Sequence, residues 1–375
     1  MSILLISGEV SGDIYAATLA NYLKKLNSNL FLAGIGGKKL KESVDEFVFE
    51  SAYSHGIGLE SLTKKGQFKK ELLRHIKICL ETYDIKKVVI IDFQHYNFDI
   101  ANVVKLFNVE IDTFITPNFW MWRSVSKAKK VLRYSRHIYT IFQKEYDFYS
   151  SLANNVYYFG HPLTDSVFID KFKPKHSKPV DRIKKITFFP GSRMQEIKLY
   201  IDPILDTIAK LKAKNPNYKF RISISAMHYY DFIKNKLLSY QLSEDLLVFE
   251  SSEYLYADSD IVVAAAGTTT LEAILSNTLI VVLAALPPLS FLYAKLFLGS
   301  HFKFVSLPNF ISDQLIVPEL VQSEINSDNI MREISFLNKN KKSILNSYDL
   351  VRNNIAKSKN VFENVSKSVL SNEIS

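Results

Sequence analysis

An apolar, β-branched run at residues 261–265 leads into Ala266-Gly267-Thr268-Thr269-Thr270-Leu271-Glu272. The run reads as a buried parallel strand and the sequel as the start of a helix, with Gly267 expected to allow a tight turn free of a Cβ clash. A helix start presents free N–H groups and partial positive charge, which suits a phosphate or diphosphate. Thr268 and Thr269 add hydroxyls there, and Glu272, one turn in, can accept hydrogen bonds from a sugar hydroxyl. An ordinary capped helix in an αβ protein has the same pattern, so a ligand needs further support. Residues 185–197 supply it: a second strand runs into Pro190-Gly191-Ser192-Arg193, with Glu196 three residues on. Gly191 and Ser192 make the turn, and the planar fork of Arg193 can grip two phosphate oxygens at once. Two such loops at the carboxyl ends of strands in one αβ half point to a nucleotide-diphosphate site.

The first half has a comparable loop. A strand at residues 3–6 runs into Ser7-Gly8-Glu9-Val10-Ser11-Gly12-Asp13, which opens a helix. Gly8 and Gly12 permit close backbone approach, while Ser11 and Asp13 can cap the helix or bind a polar ligand.

The elements that must position these loops alternate along the chain. Residues 3–6, 30–33, 88–91, 112–115, 138–141 and 156–159 are strand candidates with helical patterns between several of them, as in a doubly wound parallel sheet. A Lys- and Pro-rich stretch at 171–180 reads as a linker. Alternation restarts at Ile186, with strands at 220–225, 246–249, 261–265 and 279–283, and a helical, Lys- and Asn-rich tail follows from Ile330. The expected division is a first domain at 1–170, a linker at 171–185, a second domain at 186–345 and a tail at 346–375. That tail could mediate a homodimer.

A chain of 375 residues with 47% hydrophobic and 23% charged residues suits two folded domains and excludes wholesale disorder. The single cysteine, Cys79, excludes an internal disulfide and sits in an apolar helical pattern as a core residue. No Cys/His cluster has zinc spacing, so no metal site is expected. Residues 2–7 lack a basic leader and a cleavage site and read as a strand, not a signal peptide. The longest uncharged stretch, 279–294, falls short of a membrane span and is broken by Pro287 and Pro288. It reads as a strand, a loop and a helix; a membrane-touching loop is the sharper alternative.

A net charge of +9 draws the chain to polyanions. No nucleic-acid-binding motif is visible, so specific readout of nucleic acid is not expected. At 64–78, Phe68, Leu72, Leu73 and Ile76 share one helical face, ringed by Lys69, Lys70, Arg74 and Lys77. Such a helix either docks its apolar face on the core or lies on an anionic membrane surface.

With these motifs in place the chain resembles the lipid-A-disaccharide synthase family nearly end to end. The resemblance rests on Gly8–Asp13, Gly34-Ile35-Gly36-Gly37, Pro117 with Trp120-Met121-Trp122-Arg123, and Gly160-His161-Pro162-Leu163-Thr164-Asp165. It continues through Pro190–Arg193 with Glu196, Gly267–Glu272, Leu307-Pro308-Asn309, and Pro318-Glu319-Leu320 with Gln322. It implies an α/β chain of GT-B plan, two Rossmann-like doubly wound domains facing a central cleft, with the acceptor held by the first and the sugar nucleotide by the second. It implies an inverting, metal-independent transfer without a cofactor. The sugar of UDP-diacylglucosamine would pass to an acylated glucosamine phosphate at the inner face of the cytoplasmic membrane. Asn309 and Glu319 match family positions on the nucleotide side. Arg123 can meet an acceptor phosphate, and His161 either contacts substrate or bonds backbone at the domain junction. Trp120 and Trp122 either pack under the acceptor sugar or fill core.

One departure bears on catalysis. Where the family reads Ile-Asp-x-Pro-Asp-Phe-Asn, this chain has Ile91-Asp92-Phe93-Gln94-His95-Tyr96-Asn97. Histidine replaces the second aspartate, the family's candidate general base, and can itself take a hydroxyl proton at neutral pH. His95 is therefore the expected base, with Asp92 or Asp99 to orient it and Asp92 or Glu9 next in line. Ser11, Gly12 and Asn97 fall on the acceptor side. A changed acceptor in a paralogous transferase, or a catalytically silent sugar-nucleotide-binding member, are the alternatives. A second departure, Ala266 in place of the family's serine before Gly267, removes a hydroxyl and keeps the turn.

Overall fold

The computed structural model describes residues 1–51, 61–93, 95–121, 124–172, 185–285 and 303–371; of 61–65 it describes the helical backbone alone. The chain divides into two compact units, Met1–Ser166 with Ile355–Ser375, and Val167–Asn354.

The first unit is built on seven strands: β1 (Ser2–Ser7), β2 (Phe31–Gly36), β3 (Glu46–Glu50), β4 (Lys87–Ile91), β5 (Glu110–Phe114), β6 (His137–Thr140) and β7 (Val156–Tyr158). They are ordered β3-β2-β1-β4-β5-β6-β7, and every pairing is parallel. Ile3, Leu4, Leu5 and Ile6 of β1 and Val88 to Ile91 of β4 have no exposed surface. Strands covered on both faces need such unbroken apolar runs, which is why these were legible as strands. The strand order reverses between β1 and β4, and ligands of open α/β sheets settle at the carboxyl ends beside such a reversal.

The second unit repeats the plan with β8 (Lys185–Phe189), β9 (Lys219–Ser223), β10 (Leu247–Val248), β11 (Ile261–Ala265), β12 (Leu279–Ala284) and β13 (Glu319–Val321). Their order is β10-β9-β8-β11-β12-β13, again all parallel, with the reversal between β8 and β11. The loops Gly191–Arg193 and Gly267–Thr269 follow those two strands, so both lie at the reversal.

Two edge strands were not expected. β3, Glu-Phe-Val-Phe-Glu, is half exposed, and β13 has three residues, too few to show a period. The tail also differs from expectation, because 346–375 is not one segment. Helix Lys341–Ile355 belongs, except for its last residue, to the second unit, where Tyr348 Oη donates to Thr278 O at 3.1 Å. Helix Val361–Leu370 packs on helix Val10–Leu26 of the first unit, with Phe362 beside Tyr15 and Tyr22 at 6.2 and 6.1 Å between ring centroids. The first unit closes at Ser166, not at 170. Residues 173–184 of the expected linker lie outside the described residues.

Candidate functional site

At the first reversal, Asp92 ends β4 in a left-handed conformation, φ 46°, and is 9% exposed. Ser11 Oγ donates to its Oδ2 at 3.1 Å, joining the first turn of helix Val10–Leu26 to the end of β4. The glycines of this loop are explained by the protein itself. A Cβ on Gly12 would lie 3.1 Å from Asp92 Cβ, and one on Gly8 would lie 2.6 Å from the Phe93 ring. Asp13 is taken up structurally: it accepts from Gly37 N (2.7 Å), Lys39 N (3.0 Å) and Leu40 N (3.1 Å), capping helix Lys38–Lys41. Glu9 is the half-buried residue before helix Val10–Leu26, and His95 is exposed on the turn that precedes helix Asn97–Lys105. Asn97 is 2% exposed, yet neither its Oδ1 nor its Nδ2 has a hydrogen-bond partner among the described residues. Buried amides are nearly always satisfied, so this amide is a candidate for holding a polar ligand at the reversal.

Other first-unit expectations fall elsewhere. Asp99 is paired with Lys69 at 2.7 Å, which ties helix Ser61–Thr82 to helix Asn97–Lys105 and gives Asp99 a role other than orienting His95. Trp120 is 6% exposed against Phe142, the core reading of that residue. Trp122 and Arg123 lie outside the described residues, as do Gln94 and the stretch 286–302. His161 is 2% exposed and its Nδ1 accepts from Leu163 N at 3.2 Å; burial lowers its pKa to about 3, so the ring is neutral. Its backbone N donates to Ile355 O (2.9 Å), Ser166 N to Lys359 O (2.9 Å) and Phe362 N to Asp165 Oδ2 (3.0 Å). The Gly160–Asp165 motif thus clasps the returning C-terminal segment. Of the two expectations for His161, substrate contact and backbone bonding, the enclosed imidazole and these bonds favour the second.

At the second reversal, Gly191 has φ 119°, and a Cβ there would lie 2.6 Å from Glu196 Cβ. Glu196 Oε2 accepts from Ser192 N at 3.0 Å and its Oε1 from Arg193 Nη1 at 3.2 Å, so one carboxylate shapes the whole turn. Arg193 itself is 45% exposed. Two residues not singled out from the sequence support the loop from the exit of β9: Ser225 Oγ donates to Gly191 O (3.2 Å) and Tyr229 Oη to Ser192 O (3.1 Å). No sequence pattern marks them.

Gly267 is exposed, is not in the left-handed region, and a Cβ built on it meets no atom of the described residues within 4 Å. The expected reason for this glycine, a turn that a Cβ would block, is therefore wrong. What the glycine leaves open is space over the backbone, beside the half-buried Thr268 and Thr269. Glu272 lies in the first turn of helix Thr269–Leu275. Desolvation, with the Glu253 carboxylate adding to it, pushes its carboxyl up to about 7.

Asn309 has no exposed surface and its amide is fully used: Nδ2 donates to Val317 O (2.8 Å) and Glu319 Oε1 (2.7 Å), and Oδ1 accepts from Ile316 N (2.6 Å) and Val317 N (2.9 Å). Glu319 also accepts from Val305 N (3.0 Å), Ser306 N (2.9 Å) and Ser306 Oγ (2.6 Å). Asn309 is thus a latch for its own loop, and Glu319 shares that latch. Asp258-Ser259-Asp260 precedes β11 at the opposite, amino end of the strands. There Asp258 is paired with Lys185 (2.5 Å) and Arg221 (3.0 Å), and Asp260 accepts from Lys185 N.

The helix at Ser61–Thr82 docks its apolar face on the core, with Leu72 and Ile76 at 0% exposure and Cys79 at 2%. Lys70, Arg74 and Lys77 remain exposed. Helix Val125–Tyr134 adds exposed Lys127, Lys129, Lys130 and Arg133 and has no acidic residue. Lys127 lies over Phe119 and Lys130 over Phe98, two rings stacked at 5.8 Å. Among the described residues no helix is long and apolar enough to cross a membrane, and no group of three or more acidic, His or Cys side chains is arranged to hold a metal.

A family model described as lipid-A-disaccharide synthetase matches residues 3–374. Lipid-A-disaccharide synthase from Coxiella burnetii is 28% identical, with 98% of this chain and 97% of the relative covered. The Synechocystis protein of that name is also 28% identical, over 88% and 86%. Among solved structures, a putative UDP-N-acetylglucosamine 2-epimerase from Listeria monocytogenes superposes with a TM-score of 0.64 at 9% identity, covering 98% and 95%. MurG from Acinetobacter baumannii gives 0.55 at 11%, covering 98% and 99%. The fold is the GT-B arrangement of two doubly wound parallel sheets.

Proposed function

Because the chain belongs to the lipid-A-disaccharide synthetase family, we propose that it transfers 2,3-diacylglucosamine from UDP to 2,3-diacylglucosamine 1-phosphate, giving a β-1,6-linked disaccharide 1-phosphate and UDP. The observation that carries it is Gly267, a glycine whose own fold does not need it and which opens room for a diphosphate at the second reversal. Arg193 and the N–H groups beyond Gly267 would take up the charge that develops on the leaving UDP. Glu272 is suited to the ribose hydroxyls.

On the acceptor side, the sugar hydroxyl attacks the anomeric carbon as the bond to the diphosphate breaks, which inverts that carbon. Its proton goes to His95, the exposed histidine on the turn before helix Asn97–Lys105. The orphaned amide of Asn97 would hold an acceptor hydroxyl. Charge neutralisation by Arg193, with Asp258 and Asp260 engaged in ion pairs and backbone bonds, supports a reaction without divalent metal. Two basic helices in the first unit support peripheral docking on the anionic inner face of the cytoplasmic membrane, where lipid substrates reside. The test is transfer of labelled sugar to the monosaccharide phosphate in EDTA, resolved by thin-layer chromatography. Turnover lost in EDTA and restored by Mg²⁺ or Mn²⁺ would contradict the metal-free reading. The substitution at His95 favours one other reading, a silent member; recovery of activity in His95→Asp from an inactive wild type would identify it.

A further inference from the structure

Glu145, outside every motif considered so far, occupies the first turn of helix Gln143–Ser150 and is 1% exposed. Its carboxylate gathers donors from the carboxyl ends of two neighbouring strands. From the exit of β6 come Ile141 N (2.8 Å) and Phe142 N (3.3 Å); from the exit of β5 come Thr116 N (3.3 Å) and the Thr116 hydroxyl. Burial pushes the carboxyl up to about 7 against the pull of these four bonds. A buried carboxylate is costly, and its place here is understandable only through what it holds.

What it holds is strained. Ile115, the residue before Thr116, has φ 66°, a conformation in which a β-branched side chain is a true outlier. Such residues persist where the surroundings over-determine them, and they gather at functional sites. The next strand over repeats the device, since Asp92 at the end of β4 has φ 46° and its N donates to Phe114 O at 3.1 Å, directly before Ile115. Past Thr116 the chain runs through Phe119, stacked on Phe98 beside Asn97, to Trp120, packed on Phe142. Glu145 therefore braces the loop 116–120 and, through Phe114 O, the backbone of Asp92.

We propose that Glu145 is a positioning residue for the acceptor side of the transfer, holding the strained exit of β5 so that the loop 116–120 and Asp92 keep their places at the first reversal. It touches no substrate. This rests on the acceptor assignment made above. A displacement of the order of 1 Å at such a wall can cost about a hundredfold in rate.

The test uses the full chain with Thr116→Val, Thr116→Ser and Glu145→Gln. Thr116→Val removes one donor at nearly constant volume and spares the fold if Glu145→Gln does not. Expected are a fall of about 5–20-fold in kcat/KM for the acceptor in Thr116→Val, more in Glu145→Gln, and near-native values in Thr116→Ser. UDP affinity should stay within about twofold, since the nucleotide loops belong to the other unit. Hydrogen exchange over residues 115–121 should rise in Thr116→Val and Glu145→Gln. Unchanged acceptor kcat/KM in folded variants, or a loss shared equally by UDP binding, would overturn the proposal. If the wild type itself transfers nothing, the acceptor assignment fails, and exchange at 115–121 alone decides the brace: raised exchange upholds it, native exchange overturns it.

Discussion

Gly267→Ala separates what the chain needs from what its ligand needs. A Cβ at Gly267 meets no atom of the described residues within 4 Å, and its φ lies outside the left-handed region. Alanine there restricts the unfolded chain without straining the folded one, so it should raise stability by about 0.4–1 kcal/mol. The same methyl would occupy the space assigned to the diphosphate. If it pushes the phosphate off one charge-assisted hydrogen bond, about 1.5–3 kcal/mol is lost, which is roughly 10–150-fold in UDP affinity. Stability and affinity should thus move in opposite directions, which general damage to the fold cannot mimic. Gly191→Ala is the contrast: with φ 119° and a Cβ 2.6 Å from Glu196 Cβ, it should lose both. Calorimetric titration with UDP and a thermal melt of the same samples are the assay. A Gly267→Ala protein that binds UDP as the wild type does would remove the diphosphate from this loop.

His95→Ala should lower turnover by about 10²–10⁴-fold with UDP affinity little changed, and His95→Asp should keep substantial activity with its acid limb at lower pH. A fully active His95→Ala enzyme shifts the base to Asp92 or Glu9. Arg193→Ala should weaken UDP binding by about 1.5–3 kcal/mol in calorimetry, and unchanged affinity would take Arg193 out of the site. Burial lowers the pKa of His161 to about 3 and that of His137 to about 4, so the unfolded chain takes up these protons first as pH falls below about 6.5. Their contribution is complete above that pH and is lost towards pH 3–4, at about 1.4 kcal/mol per pH unit for each ring. Urea melts from pH 6.5 to 4.5 should show a smaller loss for His161→Gln than for the wild type, and equal losses would refute the buried neutral ring. Co-sedimentation with anionic vesicles should be strong at low salt and reversed near 0.5 M; binding that never occurs would sink the basic-helix surface.

Much of this architecture is written in local pattern. The runs 3–6 and 261–265 are apolar without interruption because both faces of those strands are covered, and the glycine loops that follow them fall at the two reversals. What escaped the sequence depends on contacts between distant segments. Glu145 sits in Gln-Lys-Glu-Tyr-Asp, which reads as a solvated helix start until Thr116 and Ile141 close over it. The match of Asn309 to a family position on the nucleotide side does not reveal that Ile316, Val317 and Glu319 consume its amide. Gly267 shows the limit differently. A glycine before a helix suggests a forced turn, and only the empty space around its Cα shows that the turn does not require it. The tail was misdivided because helices 341–355 and 361–370 have similar amphipathic patterns and pack on different units.

The chain is expected to join two acylated glucosamines with release of UDP from the sugar nucleotide. Purified protein incubated with UDP-2,3-diacylglucosamine and 2,3-diacylglucosamine 1-phosphate, with products identified by mass spectrometry and NMR, tests it most directly. One UDP should be released per β-1,6-linked disaccharide 1-phosphate, with turnover depending on both substrates. Consumption of the donor without a disaccharide, or no consumption by a protein that still binds UDP, would contradict it.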